Sequence, residues 1–394
     1  MNISINLIQT LAIAVIFLLI GIAIKNRVKF LRTYFIPTPV IGGLVFALIM
    51  LVGHQTSSFS VELDQSLTGT FMIAFFTATG FSFSVKDLKK TGIIGLKLAV
   101  LTVMLIGLQN ALVPLVAPLV GIEPLLELTM ASMSMSGGPG TTGAFGPTLE
   151  AMGVENATLV GLSAATYGLV MGSIIGGPVA KLLIRKNKLS SNDTGEEIKL
   201  DNADSKNVLN EQSITKSLFI ILISMGIGTL LVWLLNKTGF IWPDYVGGLF
   251  IAAVARNLFD TLNIQLNIKA INVIGNIALS LFLVLTIMDL EIWSLFNLAL
   301  PMIISLLIQT VFMIAFAIFV VYRVMGKNYD AAVMSSGMCG VGLGATSNAV
   351  ANMRAVTEGY GPSPNSMVVL PVIVSVLLSL FNPIIITLFI NMLR

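Results

Sequence analysis

The sequence predicts an all-α integral membrane protein built from two inverted copies of a five-helix unit, each copy carrying one re-entrant glycine-rich hairpin. Three observations predict it: a composition unsuited to a water-soluble globule, ten apolar runs of roughly membrane-spanning length, and matched motifs about 205 residues apart.

Hydrophobic residues make up 56% of the chain and charged residues 10%, with a mean hydropathy of +0.94, well outside the range of soluble domains. The net charge of +3 is spread over the loops between apolar runs, leaving no basic patch for nucleic acid. The single cysteine, Cys339, permits no internal disulfide and reads as a small packing residue. The apolar runs hold no Asp pair, Ser–His pair or His cluster, so an intramembrane enzyme is not expected.

Residues 5–24 form the first span, long enough at ~1.5 Å per residue to cross a ~30 Å hydrocarbon core. Lys25, Arg27, Lys29 and Arg32 follow it and no basic residue precedes it, the reverse of a signal peptide, so the N-terminus is expected outside. Spans two to five are expected near 36–52, 67–85, 93–120 and 157–183. The 53–67 loop, with His54, Glu62 and Asp64, and the segment bearing Glu123 and Glu127 read as outer. Lys86, Lys89 and Lys90 read as inner.

Residues 186–216 turn polar and charged, a cytoplasmic linker between a first repeat at 1–185 and a second at 217–394. Five further spans are expected near 217–236, 245–259, 271–289, 296–322 and 366–392. Alternation puts Arg256, Lys269, Arg323 and Lys327 inside, in keeping with the positive-inside rule, and leaves both termini outside. Trp233, Trp242 and Trp293 suit interfacial belts.

The repeat shows in the motifs. Pro37-x-x-Val40-x-Gly42-Gly43-Leu44 matches Pro243-x-x-Val246-Gly247-Gly248-Leu249, Gly138-x-Gly140-x-Thr142 matches Gly342-x-Gly344-x-Thr346, and Pro178 matches Pro383. The offsets are 204 to 206 throughout. Five spans per copy, an odd number, require the second copy to be inserted upside down. Hairpins near 129–150 and 331–354 then enter from opposite sides and meet near the midplane.

Their tips, Ser136-Gly137-Gly138-Pro139-Gly140-Thr141-Thr142-Gly143 and Gly340-Val341-Gly342-Leu343-Gly344-Ala345-Thr346-Ser347-Asn348, carry hydroxyls but little bulk. They are expected to depart from helix and to line a watery site, the pattern of a secondary transporter. Free amides at half-helix N-termini favour carboxylates, and freed carbonyls with Ser, Thr and Asn oxygens suit a hard cation. Apart from the edge residues Lys97, Arg256 and Asp289 the spans lack ionisable groups, which favours Na⁺ over H⁺ as the coupling ion. A channel would also explain polar tips, but it predicts a continuous pore.

The run from Gly340 to Pro362, together with Ser136–Thr142 and Gly168-x-x-x-Gly172-x-x-x-Gly176-Gly177-Pro178, resembles the bacterial sodium/glutamate symporter family. The resemblance covers essentially the whole chain outside the linker. It implies Na⁺-coupled uptake of L-glutamate, a fold related to the 2-hydroxycarboxylate carriers, a homodimer in the bacterial inner membrane, and elevator-type movement. Carriage of another carboxylate, a 2-hydroxy acid or aspartate, is the alternative within the class.

The substrate candidates are Ser136, Gly137, Gly138, Gly140, Thr141, Thr142, Gly342, Gly344, Ala345, Thr346, Ser347 and Asn348; the Na⁺ candidates are Thr77, Thr142, Thr346, Asn348 and Asn352. Bland readings stand beside these. Thr77 and Thr79 also suit back-bonded helix threonines, Asn352 a helix cap, and the Gly42-Gly43 and Gly247-Gly248 pairs close helix contacts. Arg354, roughly 10 Å beyond the second tip, reads as an inner-edge anchor rather than a carboxylate clamp.

Overall fold

A computed structural model describes residues 2–191 and 209–394. Most of the expected linker, 192–208, lies outside the described residues. In chain order, β1 (Asn2–Ile5) precedes α1 (Leu7–Arg27), α2 (Lys29–Thr33) and α3 (Thr38–Gln55). Then come β2 (Ser60–Leu63), α4 (Thr68–Gly80), α5 (Val85–Lys90) and α6 (Gly92–Ala111). They are followed by α7 (Val113–Val120), α8 (Pro124–Leu128), α9 (Gly138–Ala151) and α10 (Ala157–Asn187). The second half contributes α11 (Glu211–Asn236), α12 (Asp244–Thr261), α13 (Ile268–Met288) and α14 (Ala299–Phe316). It ends with α15 (Tyr322–Val324), α16 (Tyr329–Leu343), α17 (Thr346–Tyr360) and α18 (Pro364–Leu393).

Among the described residues nine helical stretches are long and apolar enough to cross a membrane, as an all-α membrane protein requires. The run expected at 245–259 forms α12, but it carries Asp244, Arg256 and Asp260 and is not one of the nine. Arg256 Nε donates to both Asp260 carboxylate oxygens at 3.1 Å, one turn on, so neither charge lies bare on that helix. The sequence reading missed the short parallel pairing of β1 with β2, Asn2 opposite Ser60 through Ile5 opposite Leu63.

The chain divides into two compact units. Unit 1 gathers Met1–Ser82, Gly143–Leu159 and Asp204–Ala299; unit 2 gathers Phe83–Thr142, Val160–Ala203 and Leu300–Arg394.

Within unit 1, α1 packs on α3 and α11 on α12; α3 also packs on α13, α12 on α4, and α4 on α13. The matched glycine pairs make these crossings close. A methyl group on Gly42 would lie 2.2 Å from the Phe17 carbonyl oxygen of α1, and one on Gly247 would lie 2.0 Å from the Gly228 carbonyl oxygen of α11. The second glycine of each pair faces a different helix. Gly43 abuts Ile287 of α13, and Gly248 abuts Thr77 of α4. Each helix opens with its matched proline, Pro37 or Pro243, at the N-cap, where a missing N–H costs no intrahelical bond.

Within unit 2, α16 and α17 form an antiparallel helical hairpin. Gly340 lies against Ala349 and Gly337 against Met353, and the chain reverses at Gly344 and Ala345. α10 lays a glycine stripe on this hairpin: methyls at Gly168 and Gly172 would lie 2.1 Å from the Leu343 and 3.2 Å from the Gly340 carbonyl oxygens. α18 packs on α6, α16 and α17. The interior prolines Pro178 and Pro383 sit within α10 and α18.

Candidate functional site

The two glycine-rich stretches come together in unit 2. Residues 129–137 form a run of turns, and Gly138, at φ 67°, reverses the chain into α9. A non-glycine residue would be strained in that left-handed conformation. A methyl group there would lie 3.6 Å from the Gly344 carbonyl oxygen at the break between α16 and α17.

The expectation that both glycine-rich stretches depart from helix is corrected. Gly340–Leu343 is the last turn of α16 and Gly138–Gly143 the first of α9; the departures are confined to Ser136-Gly137, to the left-handed Gly138 and to Gly344-Ala345. Small side chains are needed here for contact rather than for irregular backbone. At Gly342 a methyl would strike the Met313 sulfur at 2.4 Å. At Gly340 it would strike the Ala349 nitrogen, also at 2.4 Å.

Gln109 of α6 joins the two stretches. Its Nε2 donates to the Gly342 carbonyl oxygen at 2.8 Å, while its Oε1 accepts from Ser136 Oγ at 2.6 Å. Gln309 of α14 donates to the Gln109 backbone carbonyl at 3.1 Å, leaving its own Oε1 buried without a hydrogen-bond partner. A second polar link lies among the same elements. Asn110 Oδ1 accepts from the Ser132 N–H at 3.1 Å, and Ser132 exchanges two bonds with Asn382 of α18, at 2.7 and 3.0 Å. Gln109, Asn110, Gln309 and Asn382 were not among the sequence candidates. A carboxamide inside an apolar span, expensive to leave unpaired, was the signal.

The candidates fall into distinct surroundings. Thr142 is buried and back-bonded, donating to the Gly138 oxygen at 3.0 Å and to the Met133 oxygen at 3.3 Å. Thr346, its sequence counterpart, opens α17 half-buried, and Ser347 is exposed. Ala345 caps α17 without a side-chain hydrogen bond, so the first backbone N–H groups of that helix have no side-chain cap. Ser136 and Thr141 are buried, and Thr141 packs on Gly137; Gly140 is half-buried. Asn348 and Asn352, one turn apart, donate through Nδ2 to the Leu169 and Gly172 carbonyls of α10, each at 2.7 Å. Arg354 is exposed. Thr77 belongs to unit 1, where its buried hydroxyl has no hydrogen-bond partner and lies against Gly248.

Unit 1 holds a cavity of about 500 Å³, lined by Thr68, Thr148, Glu150, Thr158, Asp289 and Glu291 among others. Desolvation and then the neighbouring Glu150 and Glu291 push the Asp289 carboxyl above its usual range. Three acids and no basic residue make this wall unsuited to an anion.

A family model described as sodium/glutamate symporter matches residues 3–362. The sodium/glutamate symporter of Escherichia coli K12 is 38% identical over 387 residues, covering 96% of both chains. That of Haemophilus influenzae is 36% identical over 381 residues, covering 95% of this chain and 94% of the relative. With its paired glycine tips in unit 2 and nine helices of membrane-crossing length among the described residues, the chain belongs to the sodium/glutamate symporter family.

Proposed function

We propose that the chain carries glutamate into the cell together with Na⁺, drawing on the Na⁺ gradient. The observation that carries the reading is the meeting of two helix N-termini in unit 2, at Gly138 of α9 and Thr346 of α17, with Gly138 and Gly344 in near contact. The first N–H groups of α17, which have no side-chain cap, and macrodipoles of this sign attract a carboxylate without any basic side chain. The substrate would rest on Ser136, Gly137, Gly138, Gly140 and Thr141, and on Gly342, Gly344, Ala345, Thr346, Ser347 and Asn348. Neutral oxygens suit Na⁺. Asn348 and Asn352 have their nitrogens pinned to α10, so each would ligate through Oδ1, that of Asn348 while also accepting from Ser347 Oγ at 3.3 Å, and the Thr142 and Thr346 hydroxyls complete the set. Within unit 1, Thr77 is a separate Na⁺ candidate, its buried hydroxyl lacking a hydrogen-bond partner among the described residues.

The same reading takes the two halves as inverted five-span copies with re-entrant hairpins, α12 being the tenth span and both termini outside. The equivalent crossings of α1 with α3 and α11 with α12 support it, as do the crossed pairs α3 with α13 and α12 with α4. We take the working form as an inner-membrane homodimer in which the hairpin-bearing unit moves as an elevator. The test is radiolabelled glutamate uptake into proteoliposomes under an imposed Na⁺ gradient, against K⁺ and against a proton gradient alone. Uptake with Na⁺ only is expected. Equal uptake under the proton gradient would overturn the Na⁺ assignment, and preference for aspartate or a 2-hydroxy acid would overturn the substrate.

A further inference from the structure

Glu127 was expected in an outer segment. It is fully buried in unit 2, on the five-residue helix α8. One carboxylate oxygen, Oε2, accepts from Ser305 Oγ of α14 at 2.8 Å; the other, Oε1, is buried with no hydrogen-bond partner. Among the described residues, the elements packed against it offer no counter-charge. α8 lies on α7 and α18 and reaches α14 through Ser305, and none of these three helices contains an ionisable residue. Glu123, the neighbouring acid, is exposed.

A buried carboxylate with a single hydroxyl donor and no cation is a costly arrangement; a neutral carboxylic acid in the same place is not. A hard metal cation would need several oxygen ligands, and among the described residues Ser305 alone is bonded to this carboxyl. A proton needs only the free oxygen.

We propose that Glu127 is a proton-binding site inside unit 2, holding a proton on Oε1 while Ser305 holds Oε2. The proton is taken from water and bonds to the carboxylate oxygen; no other bond changes. Burial pushes the carboxyl up to about 7, with the Ser305 hydrogen bond pulling the other way. The folded chain therefore binds this proton more tightly than an unfolded one. The stability so contributed is complete below the ordinary glutamate range and is lost as pH rises through about 7.

The test uses the full-length protein in lipid, followed by infrared difference spectroscopy between about pH 3 and about pH 9, a window that spans the normal and shifted carboxyl ranges. A protonated-carboxyl stretch is expected to vanish with a midpoint near neutrality in the wild type and to be missing from Glu127→Gln. Ser305→Ala, which removes the hydrogen bond that favours the ionised form, is expected to move the midpoint upward. It carries the test alone if Glu127→Gln does not fold. The proposal is overturned if the band persists unchanged in Glu127→Gln, if it titrates in the ordinary carboxylate range, if Ser305→Ala leaves the midpoint in place, or if saturating Na⁺ at fixed pH abolishes the band.

Discussion

Gln109 donates its side-chain amide to the Gly342 carbonyl oxygen at 2.8 Å and, on its other atom, accepts from Ser136 at 2.6 Å, so one carboxamide holds both glycine-rich stretches. Gln109→Leu preserves the volume approximately but strips both partners. Leaving a buried polar group unpaired costs about 1–3 kcal/mol. A lower melting temperature and at least a tenfold loss of Na⁺-driven glutamate uptake are expected, the tenfold corresponding to about 1.4 kcal/mol. Uptake at the wild-type rate would show that this link does not matter to the site.

The glycines of α10 separate contact from propensity. Gly168 and Gly172 face the hairpin carbonyls, whereas nothing lies within 4 Å of a methyl group on Gly177. Gly168→Ala should therefore lower thermal stability and uptake together. Gly177→Ala should do neither, and it gains up to about 1 kcal/mol of helix propensity. Melting curves of the two variants in one detergent check the contrast.

Much of this was legible in the sequence, and what was not has physical reasons. Glycine with hydroxyl residues stands out in an apolar chain, so both stretches could be singled out from composition alone. The same glycines misled on conformation, because low bulk reads as broken helix while Gly340 and Gly342 serve close approach inside one. Gln109, beside Asn110, and Gln309 are amides in long apolar runs, and their value rests on partners 233 and 200 residues away, which no local pattern encodes. Glu127 follows Glu123 and Pro124, a surface signature; only tertiary packing by α7, α14 and α18 makes it a core residue. Pairing of four-residue strands such as β1 and β2 leaves almost no periodicity to detect.

Thr142 and Thr346 hold matching positions in the two glycine-rich motifs, but their hydroxyls have different commitments. The Thr142 hydroxyl is bonded to the Gly138 and Met133 carbonyls, whereas Thr346 stands half-buried at the open end of α17. Thr346→Val is expected to weaken Na⁺ dependence at least tenfold while leaving folding and elution from a sizing column intact. Thr142→Val is expected to lose about 0.5–1.5 kcal/mol of stability, the worth of an ordinary hydrogen bond. Na⁺ titrations of glutamate uptake with each variant decide the assignment. An unchanged Na⁺ affinity in Thr346→Val removes that residue from the ion site.

Asp289 caps the end of α13 in the acidic cavity of unit 1, where desolvation, Glu150 and Glu291 all raise its carboxyl above the normal range. The folded state then holds the proton more strongly than the unfolded state, so stability from this group is present at acid pH and is lost as pH rises through the shifted value. Asp289→Asn, permanently neutral, is expected to melt higher than the wild type at neutral pH, and the difference should shrink on acidification. Glu150→Gln should act in the same direction on Asp289 by removing one repelling charge. Melting temperatures of the three proteins across the acid-to-neutral range measure it; a gap between wild type and Asp289→Asn that widens toward acid would reverse the sign and refute the argument.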